Sequence, residues 1–293
     1  MSNYTSNDII NAIAAAAKAL EARKDEINRL NVFPVPDGDT GTNMSLTLAM
    51  VVDNLAKLPI GASSEDRRRS ITTGALMGAR GNSGVITSQI MRGLCEGIAD
   101  HEEFDIVAVD DAFSRAVEVA FNAVRKPVEG TILTVLRDTA TAAHKARKKK
   151  MELDEGLQFI VGESYASVQR TPELLPVLKE NGVVDAGGFG IAIFFDSFVA
   201  SLTGRAEAMV DELAFARTAA PKVEIEQIND WEGSKYKYCN EFLVNSETLD
   251  PEEALDFLQT MGDCELCVGS TPKFKVHVHS NTPDKVLAYF LER

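Results

Sequence analysis

The sequence predicts a mainly α chain, with about eight antiparallel helices followed by a small α+β unit. Three observations carry this. From Asn7 to about Gly204 the apolar residues recur at helical spacing, without a stretch of clear period-2 alternation. Short glycine or proline turns join the segments so defined. After Ala219-Ala220-Pro221 the texture becomes aromatic and β-branched, the composition of strands.

Taken in order, Ser6 or Asn7 caps a helix running to about Leu30, with Ile9, Ile10, Ile13 and Leu20 among its apolar positions. Further helices are expected over 42–58, 65–77, 83–99, 108–125, 131–150, 154–167, 171–180 and 187–202. The tail reads as a strand over 236–244, a helix over 251–261, strands over 265–269 and 274–279, and a helix over 283–291. The chain therefore divides into a helical domain at 1–205, an acidic, mixed connecting segment at 206–230 and an α+β unit at 231–293. A length of 293 residues suffices for two cores.

Composition narrows the function classes. A net charge of −14 argues against broad nucleic-acid binding, which needs clustered Lys and Arg. The one basic run, from His144 to Lys150, ends a helical stretch, where cations complement the helix dipole. No run approaches the roughly 18 apolar residues of a membrane span. The first residues have neither a basic n-region nor an apolar h-region, so a cytoplasmic protein is expected. Cys95, Cys239, Cys264 and Cys267 are then read as thiols or metal ligands rather than a disulfide framework.

The most informative segment runs from Leu30 to Met44, where Asp37-Gly38-Asp39 leads from a proline-set turn into a helix. Two carboxylates can converge there on a hard cation such as Mg2+, while first-turn amides of the helix suit an anion. The alternative is a surface turn capping a helix. Apolar Val32, Phe33 and Val35 tether the turn to a core and favour the first reading. The spacing does not fit a calcium loop of the EF-hand type, because Gly41, Thr42 and Leu48 stand at its fifth, sixth and twelfth positions. Three other helix starts carry glycine and donor groups: 78–84, 128–131 and 184–190. Each alone also reads as a helix stop or a tight packing point. In an up-and-down bundle, however, turns separated by an even number of helices open at the same end, so the four can line one pocket. Absence of a Gly-Lys pair excludes a Walker A loop, and Gly81-Asn82-Ser83-Gly84 misses the nucleophile elbow by one residue.

In the tail, His277 and His279 lie at i and i+2 on one face of a strand. They read as a zinc pair needing further ligands or as strand histidines in ordinary hydrogen bonds. Cys264 and Cys267 have ligand-like spacing, but on a straight strand they face opposite sides.

Residues 31–44, 78–84, Gly130-Thr131 and 185–188 resemble the nucleotide-binding domain of dihydroxyacetone kinases (the DhaL or DAK2 type), in the form found in the ATP-binding component of bacterial fatty acid kinase. The resemblance spans the helical region in order. It implies an eight-helix antiparallel up-and-down barrel holding MgATP at one end. Asp37 and Asp39 would bind magnesium, and Thr40, Gly41, Thr42, Asn43, Asn82 and Ser83 would contact the phosphates. Gly130, Thr131, Ile132, Asp185, Ala186 and Gly187 would lie along the nucleotide. Dihydroxyacetone kinases carry a further metal-binding Asp five residues before the first Asp of Asp-Gly-Asp. Here Val32 has that spacing, and the neighbouring Asn31 offers an amide oxygen instead. The tail resembles the middle domain of the same fatty acid kinase component, which implies a zinc ion on Cys239, His277 and His279, with Cys264 and Cys267 outside the pattern. The resemblance further implies a homodimer, transfer of the ATP γ-phosphate to a fatty acid carboxylate, and a separate lipid-binding protein of the DegV type that presents the acid. Dihydroxyacetone-type phosphorylation of a hydroxyl and a non-catalytic nucleotide- or zinc-binding regulator are the rival expectations.

Overall fold

The computed structural model describes residues 4–205 and 235–293, so the connecting segment expected at 206–230 lies outside the described residues. The helical domain consists of α1 (Ser6–Ala22), α2 (Lys24–Arg29), α3 (Thr40–Ala56), α4 (Ser64–Gly78), α5 (Gly81–Gly97), α6 (Ile106–Ala123), α7 (Ile132–Lys148), α8 (Leu153–Leu174), α9 (Pro176–Asn181) and α10 (Ala186–Thr203). Omitting the six-residue helices α2 and α9, eight long helices remain. Each packs on its chain neighbours, and α10 returns to α1, which closes the ring. The expected eight-helix up-and-down barrel is the observed fold.

Several boundaries differ from the sequence reading, three of them for clear local reasons. The first helix stops at Ala22, because Arg23 leaves helical geometry at φ −112°, ψ 9° and starts the short α2. Its cap is Thr5, in a reciprocal capping box with Asp8, rather than Ser6 or Asn7. The helices expected at 154–167 and 171–180 meet differently, since α8 continues through Pro172 to Leu174. Pro172 has no amide hydrogen to give the carbonyl of Val168, and the Thr171 hydroxyl donates to that oxygen instead, at 2.7 Å.

Ala12, Leu20, Met44, Leu48, Val51, Ile90, Leu136, Val161, Val168, Ile191 and Ala192 are all fully buried in the barrel core. Helix α10 has the length and composition of a membrane span, with a mean hydropathy of 1.5, yet 78% of that window is buried inside the barrel. A helix that is apolar on every side is a core helix when other helices surround it. Its one carboxylate, Asp196, is fully buried, accepts from the Tyr165 hydroxyl at 3.2 Å and pairs with Arg205.

The small domain contains β1 (Tyr238–Asn245), α11 (Pro251–Met261), β2 (Gly262–Ser270), β3 (Lys273–Ser280) and α12 (Pro283–Leu291). The strands form one antiparallel sheet in the order β1-β3-β2. Strand alternation gives the sheet two chemically different faces. Cys267, Phe274, Val276 and Val278 turn toward Leu258 of α11 and Val286 and Phe290 of α12, forming a separate core. The opposite face carries the register pairs Cys239–His279 and Glu241–His277. On that face Leu266 and Val268 cluster with Ala79, Val85 and Ala123 of the helical domain. The apolar contact seats the sheet's polar face against one end of the barrel.

At Gly93 α5 packs tightly on α6: a Cβ there would lie 2.4 Å from the Ala116 Cα. Gly93→Val is expected to destabilise the barrel by about 1–3 kcal/mol through overpacking, read as a lower midpoint in urea unfolding.

Candidate active site between the barrel and the small domain

Ring closure decides where the four glycine-marked turns fall. Helices α3, α5, α7 and α10 are the second, fourth, sixth and eighth members of the ring, so their N-termini share one end. Capping differs between the ends. At the far end, α1 and α4 carry capping boxes, and Asp105 caps α6 through the amides of Val107 and Ala108. At the near end, the N-cap residues of α3, α5 and α7 (Asp39, Arg80 and Thr131) make no side-chain cap. Helix starts that leave amides to be satisfied from outside suit an anion.

These turns open into a cavity of about 720 Å³, whose roof is the polar face of the sheet. It is lined by Asn31, Asp37, Asp39, Thr40, Asn82, Ser83, Thr131, Ile132, Asp185 and Gly187 from the barrel, and by Cys239, His277 and His279 from the sheet. Gly41, Thr42, Asn43, Gly130 and Ala186 do not line it. The amides of Gly41 and Thr42 donate instead to Asn28 Oδ1, at 2.8 and 3.1 Å, and Asn28 Nδ2 donates to the Thr42 hydroxyl at 3.0 Å. Asn43 packs against Gly81, where a Cβ would lie 2.4 Å from Asn43 Nδ2. Gly130 adopts φ +82°, which favours glycine, and its amide donates to the Thr134 hydroxyl.

Asp37 and Asp39 face each other. Burial and then the Asp39 carboxylate push Asp37 up to about 7. Two carboxylates that cannot both ionise without cost form a donor set suited to a divalent cation. Asn31 is buried and orients the pair: its Nδ2 donates to Asp37 Oδ1 at 2.7 Å and to the Val35 carbonyl at 2.9 Å. Its Oδ1 accepts from the Thr40 hydroxyl. Asn31 thus holds Asp37 with a hydrogen bond, directing nitrogen rather than oxygen toward it. Asp185 links two of the turns, because its Oδ2 accepts from the Gly188 amide at 2.6 Å and its carboxylate also bonds the Ile132 amide. Burial pushes Asp185 up to about 7.

The roof meets the floor through Glu241. Its Oε2 accepts from the Gly81 amide at 2.9 Å, while Lys275 Nζ donates to its Oε1 at 2.6 Å. Burial opposes ionisation, but contacts with His277, Lys275 and the Gly81 amide hold Glu241 down to about 2. A second link joins Arg125 to Asp256 at 2.6 Å. On the sheet, Cys239 Sγ lies 3.9 Å from His277 Nδ1, and the ligand atoms of Cys239, His277 and His279 fall within 4.8 Å of one another. His277 is 1% exposed, and its Nε2 has no hydrogen-bond partner among the described residues. A buried imidazole with a thiol beside its Nδ1 and no partner for its Nε2 fits a metal ligand set. Burial and then His277 lower the pKa of His279, which favours the neutral, ligating imidazole.

Sequence reasoning missed Asn28 and Glu241. Asn28 is one polar residue among several in a short helix without a motif. Glu241 belongs to the segment Tyr238-Cys239-Asn240-Glu241-Phe242, but its role depends on contact with Gly81, 160 residues away.

Helix starts bearing donor groups around paired carboxylates form an arrangement that suits an anion and a cation together. The DAK2 domain model matches residues 34–200, and the FakA-like middle-domain model, named for fatty acid kinase, matches residues 235–293. An uncharacterized protein of Staphylococcus aureus (strain bovine RF122 / ET3-1) is 39% identical over 286 residues, covering 94% of this chain and 51% of its own length. A counterpart from strain USA300 is 38% identical with the same coverage. Among solved structures, the dihydroxyacetone kinase from C. freundii in complex with AMP-PNP and Mg2+ is similar, with a TM-score of 0.51 at 16% identity, over 68% of this chain and 34% of that one. The chain belongs to the DAK2 domain family and carries a middle domain of the FakA-like type. It spans about half the length of the curated relatives it matches.

Two outcomes follow from the geometry. Asn28→Ala leaves two amides unsatisfied and is expected to cost about 1–3 kcal/mol, measured by urea unfolding. Because the folded pKa of Asp37 is raised, the folded state holds the extra proton between about pH 4 and 7, and ligand-free stability falls as pH rises through that window. Asp39→Asn removes the repulsion but not the burial and should lessen this fall in the metal-free protein, as thermal unfolding at pH 5 and pH 8 would register.

Proposed function

We propose that the chain is the nucleotide-binding part of an ATP-dependent phosphotransferase, acting on a carboxylate acceptor. The observation that carries the reading is the convergence of four helix N-termini on the Asp37–Asp39 pair. In this reading Asp37 and Asp39 would hold Mg2+, and Asn31 keeps Asp37 aimed by its amide hydrogen bond. When bound, Mg2+ supplies neutralisation of polyphosphate charge. The starts of α5 and α7, with the side chains of Asn82, Ser83 and Thr131, receive phosphate oxygens, while Asp185 fixes the spacing between the α7 and α10 turns. Glu241 sits at the α5 start, where its carboxylate accepts from an amide that a phosphate would also seek.

The acceptor assignment draws support from the middle domain. A match to the FakA-like middle domain favours a fatty acid carboxylate, and in this proposal a lipid-binding protein of the DegV type would present it. Such an acid is already ionised at neutral pH, and its attack on the γ-phosphate needs no general base. Cys239, His277 and His279 would hold a zinc ion in the roof, with the orphaned His277 Nε2 as supporting observation.

Asp39→Asn is expected to lower Mg2+-dependent nucleotide affinity at least about a hundredfold, equivalent to about 2.7 kcal/mol, in calorimetric titration. Unchanged affinity would overturn the site. For the acceptor, the chain is incubated with ATP and either a fatty acid on its carrier or dihydroxyacetone on its own. Hydroxylamine trapping of an acyl phosphate is expected with the former. Phosphorylated triose without trapped acyl product would replace this reading with the hydroxyl-kinase one.

A further inference from the structure

Cys264 is one of two non-glycine residues with positive φ among the described residues, at +56°. L-residues avoid this region, and a strained residue at a pocket wall is a signal to ask what the strain serves. The answer lies in strand register. Asp263 pairs with His279, and Leu266 pairs with His277, so Cys264 and Glu265 together oppose a single residue of β3. Regular alternation would turn the residue after Asp263 toward the small-domain core, where Cys267 does point. The bulge cancels that alternation, and both Asp263 and Cys264 line the cavity.

Their donor atoms meet a histidine there. The ligand atoms of Asp263, Cys264 and His279 all lie within 4.8 Å of one another, with Asp263 Oδ1 3.8 Å from His279 Nδ1. Zinc bonds of about 2.0–2.3 Å place tetrahedral donors about 3.3–3.8 Å apart, so this separation suits a shared ion. His279 is also a member of the Cys239 and His277 set. An imidazole offers both nitrogens as ligands once its remaining N–H proton is released to solvent, and the adjacent His277 Nε2 is buried without a partner among the described residues.

We propose that Asp263, Cys264 and His279 form a second metal-binding triad adjoining Cys239, His277 and His279, so that the roof presents two thiolates to soft divalent metal around a shared imidazole. The proposal rests on the zinc reading of the roof and extends it to residues outside that set. It also gives the β2 bulge a purpose: the strained turn delivers a thiolate and a carboxylate beside Asn82, at the junction of roof and floor.

The test uses Co2+ titrated into the chelator-stripped full chain, read by sulfur-to-cobalt charge-transfer absorption. Cys239→Ser and Cys264→Ser should each remove about half of the band, Cys267→Ser should leave it intact, and Asp263→Asn should weaken Co2+ binding about tenfold or more. A full band in Cys264→Ser, with complete loss in Cys239→Ser, overturns the second triad while leaving the first standing. No cobalt band in the unmodified chain overturns both. Alkylation of the unmodified chain provides a check independent of any substitution. Zinc should protect Cys239 and Cys264 together, and protection of Cys239 alone overturns the proposal.

Discussion

The structure depends on one topological constraint, the closure of an even-numbered ring of antiparallel helices. With eight long helices in the ring, every second N-terminus must fall at the same end. That end gathers the positive poles of α3, α5, α7 and α10, and aligned helix dipoles make it a place where negative charge is favoured. Three of the four far-end helices are finished with side-chain caps, whereas at the near end α3, α5 and α7 lack one from their own N-cap residues and Asn28, Glu241 and Asp185 take up some of their first amides. Deep in the barrel wall, the buried Asp196 is answered instead from within, by Arg205 and Tyr165.

The second layer of organisation is the division of labour across the small sheet. One face forms a core with α11 and α12, and the other is committed to polar and ligating groups. Leu266 and Val268 provide the apolar contact that holds this face over the pocket, and Glu241 completes the junction by accepting from a helix-start amide. A charged group held this way requires compensation, which Lys275 supplies at 2.6 Å. Carboxylates from the floor and thiols, imidazoles and the Asp263 carboxylate from the roof therefore face one cavity.

Asp37 carries a cost in the metal-free protein, since burial and the neighbouring Asp39 carboxylate disfavour its ionisation. Asn31 and Thr40 hold the geometry against that repulsion through directed hydrogen bonds. Stability is given up locally to keep a cation-binding arrangement in place, and the surrounding packed helices sustain it.

Much of this was legible in the sequence. The period of apolar residues marked out the helical domain, and α11 and α12 were placed at their observed bounds because proline starts and acidic first turns mark them. The Asp37–Asp39 turn announced itself through proline, glycine and carboxylate at adjacent positions. Local signals could not reveal contacts made over long chain separations. Asn28 satisfies amides 13 and 14 residues away, and Glu241 reaches Gly81 from the other domain. The orientation of Cys264 was equally hidden, because strand periodicity assumes regular alternation and a bulge breaks it. By itself, then, the sequence determined which helices form and which turns carry donors, since both depend on neighbours along the chain. Only the tertiary structure decided that four turns share one pocket, that a sheet roofs it and that a strained cysteine faces it, because ring closure and strand register bring together residues far apart in sequence.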